Sequence, residues 1–415
     1  MMIVRKSVIL GCITTLIIPI VGVIYSFFSL KKENAKWVIV NISLFVFIIV
    51  ARLPPYQDLF RRYTETYFIY NAQTNITDAI RGHVDIMFYL LSFLIKYVGL
   101  PFYVLPAFLS SITVYCFLNG VSKISSNVND NYRASGNFKI IIISFFFLIP
   151  VIQMALGVRW GAAIALMFYG SVSYLINGNK KKGVVLFILA CSMHFSMILL
   201  VASFFTSLYL KVNRFLFFIY SIVAIALSNI VLPFILTRLG IIGEYASVGY
   251  AENDLANNVG NINTQIVTWV SVFYALLFTI LIFLTWKKIS SKELILFRNY
   301  TFWIFIFCCL ISVSFVPFRR YVTGAYYFYV LGGYCMLCIQ TNTIKWKYLI
   351  LGVSIFSLMF NGIYLQRRAL LLGEVWKGLY EPSILLLQYS ENDYKKYLSK
   401  IDEDGDWIGN KVKAN

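Results

Sequence analysis

Charge is what this sequence has least of. Only 13% of its 415 residues are charged, 60% are hydrophobic, and mean hydropathy is +0.75. A soluble domain carries about 25% charged residues, so a water-soluble globule of this length is excluded. The ~10-residue alternating segments of a membrane β-barrel are also missing. Acids are scarcer than bases, 18 against 36, for a formal net charge of +18. In a soluble protein that excess would suggest nucleic acid; here the charges sit in joints between apolar runs, and no nucleic-acid partner is expected. Before residue 366 the acids are Glu33, Asp58, Glu65, Asp78, Asp85, Asp130, Glu244, Glu252, Asp254 and Glu293, and none falls deep inside an apolar run. The midplane carboxylates common in proton- or sodium-coupled transporters are therefore missing. Histidine is limited to His83 and His194, neither with cysteine at zinc-site spacing, so no metal centre is expected. There is no Gly-rich nucleotide loop, internal repeat or low-complexity stretch, and no cofactor is expected. The seven cysteines (Cys12, Cys116, Cys191, Cys308, Cys309, Cys335 and Cys338) all lie in apolar segments, an odd set that argues against a disulfide framework. Cys335 and Cys338 make a CxxC that reads as packing within an apolar helix.

What is present is a series of long apolar runs, of the length that crosses a bilayer as a helix. They cover 7–30, 37–51, 86–98, 102–121, 139–156, 161–177, 184–210, 215–236, 265–286, 300–317, 321–340 and 348–365. The pattern predicts an all-α polytopic integral membrane protein with about 10–12 transmembrane helices. Residues 1–365 form the transmembrane domain, with long outer loops at 52–85 and 237–264. Residues 366–415 form a polar tail whose eight basic and eight acidic residues suit either side of the membrane. Arg5 and Lys6 precede a run that reaches Leu30 without a small-x-small cleavage site, which reads as an uncleaved first span. Pro54-Pro55 closes the second span, since neither residue supplies a helical N–H.

Lysine and arginine alternate along the chain. Lysine marks the joints at 31–36, 122–139, 178–183, 211–214, 287–299 and 341–347. Arginine without lysine marks 52–85, 157–161, 237–264, 318–320 and the start of the tail. The positive-inside bias places the lysine joints in the cytoplasm and the arginine joints outside. This scheme requires 86–98 to be re-entrant or interfacial and 184–210 to bend back near His194; full spans with some lysine joints outside are the alternative. Arginine outside opposes the charge bias. Its planar fork matches phosphate oxygens and stays charged, and one charge pair at ~4 Å is worth about 4 kcal/mol at an effective dielectric near 20. Arginines around one pocket would hold a pyrophosphate. Solvated loop charge is the competing explanation, stronger for Arg61, Arg62, Arg367 and Arg368 than for Arg159 and Arg320, which sit at tight hairpin apices.

Residues 139–177 are too long for one helix and break at Gly157-Val158-Arg159-Trp160-Gly161. Lysine at both ends turns this apex outward, with Arg159 where the hairpin opens. His194, in Cys-Ser-Met-His-Phe-Ser, is able to donate, accept or shuttle a proton; a histidine bonded to a neighbouring helix is the alternative. Asp58, in Tyr-Gln-Asp-Leu-Phe-Arg-Arg-Tyr, is a candidate base or orienter, or a loop-capping carboxylate. Tyrosines crowd the long loops, where they serve sugar stacking or interfacial anchoring.

Gly157-Val158-Arg159-Trp160-Gly161-Ala162-Ala163-Ile164-Ala165-Leu166, followed by Lys180-Lys181-Lys182 and Met193-His194-Phe195-Ser196, resembles the EpsG-type, Wzy-like polysaccharide polymerases. The loop with Asp58 and Tyr63 and the apex Arg320-Tyr321 are similar to other parts of that family. The likeness covers roughly residues 50–330. Trp160 departs from the usual glutamine and Met193 from the usual aromatic. The resemblance implies an enzyme of the bacterial inner membrane that joins undecaprenyl-pyrophosphate-linked oligosaccharide units at the outer face, without metal or nucleotide sugar, beside a chain-length regulator. It implies Arg159 and Arg320 as pyrophosphate ligands, with His194 or Asp58 as base. Arg81, Arg319, Arg62, Trp160, Tyr63 and Tyr321 are implied in substrate binding. A flippase of lipid-linked glycans and a membrane O-acyltransferase are the alternatives; the flippase would show internal repeats and central cationic residues, for which Lys96 is a candidate.

Overall fold

The structure is a computed structural model that describes residues 2–126, 135–238, 262–284, 291–341, 344–403 and 405–408. Most of the loop 237–264, with Glu244, Glu252 and Asp254, lies outside the described residues. Among the described residues the fold is all-α, with one isolated pairing between Ile401 and Trp407. In lipid, each backbone N–H and C=O must be bonded within its own segment, and a helix achieves this.

In chain order the helices are α1 (Met2–Ile17), α2 (Pro19–Ser29), α3 (Ala35–Val50), α4 (Asp58–Glu65), α5 (Ile76–Ile80), α6 (Ile86–Tyr97) and α7 (Val104–Ser126). They continue as α8 (Ser135–Leu148), α9 (Val151–Leu156), α10 (Val158–Leu175), α11 (Lys180–Met193), α12 (Ile198–Tyr209) and α13 (Arg214–Arg238). After α14 (Ile262–Leu284) and α15 (Lys292–Leu310), α16 (Phe315–Arg320) runs through a π-helical turn at Tyr321–Tyr326 into α17 (Tyr327–Thr341). Last come α18 (Ile344–Ser357), α19 (Arg367–Leu372) and α20 (Glu391–Lys395). Five described stretches are each long and apolar enough to cross a membrane: Lys32–Val50, Val104–Ser126, Arg214–Val231, Lys292–Leu310 and Trp346–Tyr364. This is a polytopic membrane protein.

Residues 7–30 are not one span. Pro19 starts a new helix after an extended Ile18, and α2 folds back on α1. A Cβ on Gly22 would strike the backbone of Thr15, and one on Gly11 would come within 3.2 Å of Ser26 Oγ. The missing side chains at these two positions let the helices pack closely. Asn41 of α3 donates to Ser26 Oγ from the third side.

The helix α6 runs along the 58–70 stretch. Near its middle, Ser92 Oγ donates to Thr66 Oγ1 at 2.9 Å; just past its end, the Leu100 carbonyl accepts from Tyr67 Oη at 2.6 Å. Both bonds go to the same loop, so α6 packs along it from its middle to its end.

Residues 184–210 form a V. Phe187 on α11 and Phe204 on α12 stack edge to face with ring centroids 4.8 Å apart. Since the two lie on either side of His194, the chain reverses there. On its other side α11 packs antiparallel to α10: a Cβ on Gly183 would lie 2.8 Å from Tyr174 Cβ. Lys182 Nζ donates to Tyr169 Oη at 2.8 Å, and Lys139 Nζ to the Phe28 carbonyl at 2.6 Å, so these lysine joints cap the bundle at the end away from His194.

The tail is not a free appendage. Its described part folds onto the loop 52–103. Tyr63 Oη donates to Glu391 Oε1 at 2.9 Å, and the Phe102 N–H to Glu391 Oε2 at 3.1 Å. Tyr56 Oη donates to Gln366 Oε1 at 2.9 Å, and Arg52 pairs with Glu381 at 2.7 Å. The Gln57 N–H reaches the Gly405 carbonyl at 2.6 Å. Tail and loop therefore share one side of the membrane, a matter that balanced tail charge left open.

An impermeant thiol reagent checks this arrangement in a background with the native cysteines replaced. Asn392→Cys and Arg61→Cys react in intact cells, and Lys181→Cys reacts only after permeabilisation. Labelling of Asn392→Cys and Lys181→Cys from the same side would refute it.

Candidate active site

The cluster forms where four elements meet. Gly157 separates α9 from α10, and Arg159 occupies the first turn of α10. The fold-back requires a glycine at 161, where a Cβ would come within 3.0 Å of the Met154 carbonyl. Asp85 caps the start of α6 with its carbonyl, which accepts from the Phe88 N–H at 3.0 Å. His194 ends α11 in an extended conformation, and Tyr321 opens the π-helical turn after α16.

Asp85 ties these elements together. Its Oδ2 accepts from Arg159 Nη1 at 2.7 Å, and its Oδ1 accepts from the Phe195 N–H at 2.9 Å. Asp85 is 3% exposed and Arg159 8%. Burial pushes the Asp85 carboxyl up, against the pull of the Arg159 guanidinium and the Phe195 N–H. A buried ion pair is in general weak evidence for stability, since desolvating both charges offsets their attraction. Arg159 also has a buried Nε without a hydrogen-bond partner.

Beside the pair, His194 Nδ1 shares a hydrogen with Ser196 Oγ at 2.8 Å. Trp160 meets the His194 ring edge-on at 5.3 Å and the Tyr321 ring at 5.1 Å. Tyr321 Oη donates to the Ser196 carbonyl. Gly324 leaves the room that Trp160 needs, since a Cβ there would fall 2.7 Å from Nε1. Arg159, Arg320, Arg62 and Asp58 all lie close enough to act electrostatically on the His194 ring.

A second layer sits nearer the loop. Arg62 pairs with Asp58 at 3.2 Å, with Glu65, and with Tyr89 Oη at 3.3 Å. His83 stacks on Tyr89 with centroids 3.5 Å apart. Burial lowers the affinity of the His83 ring for a proton, with Arg62 and Arg159 acting in the same direction.

The structure therefore brings Arg159, Trp160, His194 and Tyr321 together, with Arg320, Arg62 and Asp58 around them. Arg319 lies one residue before Arg320, half-buried against the Phe315 ring at 6.0 Å. Arg81 is exposed just past the end of α5. Tyr63 turns the other way, into an aromatic group with Tyr67, Phe102 and Tyr394, and its hydroxyl serves the tail. Sequence reasoning passed over Asp85 and Ser196. The available signal for Asp85 was an acid placed directly before an apolar run, where burial follows if that run packs.

The buried pair makes a stability prediction. Asp85→Asn leaves Arg159 buried without its counter-charge and costs roughly 3–5 kcal/mol. The double variant Asp85→Leu/Arg159→Met recovers most of that cost. Thermal unfolding in detergent reads both, and additive losses would show that the two groups do not interact in the folded protein.

The sequence model of the EpsG family matches residues 37–372, a stretch that contains every residue of this cluster. No curated protein and no solved structure matches the chain.

Proposed function

The chain belongs to the EpsG family, and from that premise we propose that it is a polysaccharide polymerase that transfers a growing glycan between polyprenyl carriers. The donor is an undecaprenyl-pyrophosphate-linked oligosaccharide, and the acceptor is a second lipid-linked repeat unit. The reaction takes place at the outer face of a bacterial inner membrane. The product is an O antigen, capsule or exopolysaccharide chain. The observation that carries this reading is the buried Arg159, fixed by Asp85 yet with one buried donor unspent, directly beside His194.

In the proposed reaction the acceptor hydroxyl attacks the anomeric carbon of the donor sugar. The bond from that carbon to the pyrophosphate oxygen breaks, and undecaprenyl pyrophosphate leaves. Arg159 and Arg320, with Arg319 and Arg62 nearby, hold the pyrophosphate and stabilise the charge that develops on it. The His194 ring takes the hydroxyl proton, with Ser196 Oγ at Nδ1 fixing the ring's orientation. Trp160 and Tyr321 form the wall against which a sugar ring stacks. Asp58 orients Arg62, to which it is paired.

A flippase is less well supported. Lys96, its candidate central cation, lies 4.1 Å over the Tyr67 ring of the loop.

Deleting the gene in its own host and running surface and lipid-linked glycans on a gel tests the reaction class. The expected result is collapse of the ladder to a single repeat unit. Repeat units trapped on the cytoplasmic side would mean a flippase, and an unchanged ladder would overturn both. With purified protein and lipid-linked repeat units, Arg159→Ala is expected to slow polymerisation by about 100-fold or more. Unchanged rate and chain length would remove Arg159 from the mechanism.

A further inference from the structure

Residues 373–388 of the tail run across the ends of α1, α2 and α3 that face the loop. Gly378 packs on α3, where a Cβ would lie 3.2 Å from Ile49 Cα. Ser383 Oγ donates to the Leu16 carbonyl of α1 at 2.8 Å. Gly373, Val375 and Gly378 face inward and are buried. The opposite side is apolar and open: Trp376 is 42% exposed, Tyr380 46%, Ile384 68%, Leu385 37% and Leu387 86%. Such a concentration of bare aliphatic and aromatic surface calls for a cover.

Length indicates what covers it. The 11 residues of α2 rise only about 16 Å, against a hydrocarbon core of ~30 Å. From the lysine joint at 31–36, the turn at Ile18 therefore stops well short of the far surface. A segment too short for the bilayer is met by local thinning, and the tail is seated on that turn. The apolar surface is continuous across the junction, since Ile13, Leu16, Ile17 and Ile18 are exposed on the hairpin just below Ser383. The charges of the stretch are already neutralised: Lys377 pairs with Glu374 at 2.8 Å, and Glu381 with Arg52 at 2.7 Å. Its backbone turns inward on itself, with Glu381 N–H donating to the Lys377 carbonyl at 2.9 Å and Leu385 N–H to the Pro382 carbonyl at 3.1 Å.

We infer that residues 376–387 are an interfacial membrane anchor in the leaflet on the loop side, with phospholipid as the occupant of their exposed face. Trp376 and Tyr380 lie at headgroup level, where amphipathic rings concentrate. Ile384, Leu385 and Leu387 insert among the upper acyl chains. The same tail then continues to Glu391 and Gly405, which bond Tyr63, Phe102 and Gln57 of the loop. The anchor thus ties α4, with Asp58 and Arg62, to the membrane surface. This inference does not depend on the reaction the protein catalyses.

Nitroxide labels on Ile384→Cys and Leu387→Cys, in a background without native cysteines and in phospholipid nanodiscs, test it. The expected result is efficient collision with oxygen and poor collision with a water-soluble nickel chelate, with the preference reversed for Asn392→Cys, which faces solvent. Two sites guard against one variant that fails to fold. Nickel-chelate access at 384 and 387 equal to that at 392 would overturn the anchor in favour of a solvated tail. Labels shielded from both reagents would overturn it in favour of a protein partner or a second copy of the chain.

Discussion

The Asp85 carboxylate holds the cluster in register. One oxygen fixes the first turn of α10 through Arg159, the other fixes the apex between α11 and α12 through the Phe195 N–H, and its own backbone begins α6. A carboxylate accepting two bonds from separate elements sets their spacing to within a hydrogen bond. A buried ion pair is a weak source of stability, because desolvating both charges offsets their attraction. A fold keeps such an arrangement when geometry matters more than stability, as it does where a cation must meet a developing charge.

The membrane explains why the cluster lies where it does. Interrupted helices leave backbone groups unpaired, and lipid does not satisfy them. The interruptions at Gly157 and His194 and the π-helical turn at Tyr321–Tyr326 all converge on the same end of the bundle. There two of the freed groups find a protein partner: the Phe195 N–H bonds Asp85, and the Ser196 carbonyl accepts from Tyr321. The breaks bring the side chains of one cluster together, where an unbroken helix would have turned them to other neighbours.

Much of this was legible in the sequence. Arginine at a glycine-flanked break, with a histidine one basic joint later, marked Arg159 and His194 without reference to the fold, because few residue types are tolerated there in lipid. The alternation of lysine with arginine marked the reversal at His194. The N-terminal run was misread because hydropathy registers apolar length and does not register the turn that Pro19 starts. Asp85 was passed over because an acid in a polar loop looks solvated until something packs on it. Tyr63 was grouped with the site by proximity to Asp58 in sequence, yet five residues along α4 and past one turn it faces the tail.

The sequence by itself determined that this chain crosses a membrane repeatedly as helices, and which joints carry which cation, because hydropathy and charge act locally and leave their pattern in the order of residues. It also carries the pattern that the EpsG family model matches over residues 37–372. Only the tertiary structure decided which acid meets Arg159, that α1 and α2 form a hairpin, and that the tail lies against the loop 52–103. Those outcomes depend on hydrogen bonds between residues tens to hundreds of positions apart, Asp85 with Arg159 and Tyr63 with Glu391. No local pattern encodes such a pairing, since it exists only once the helices have packed.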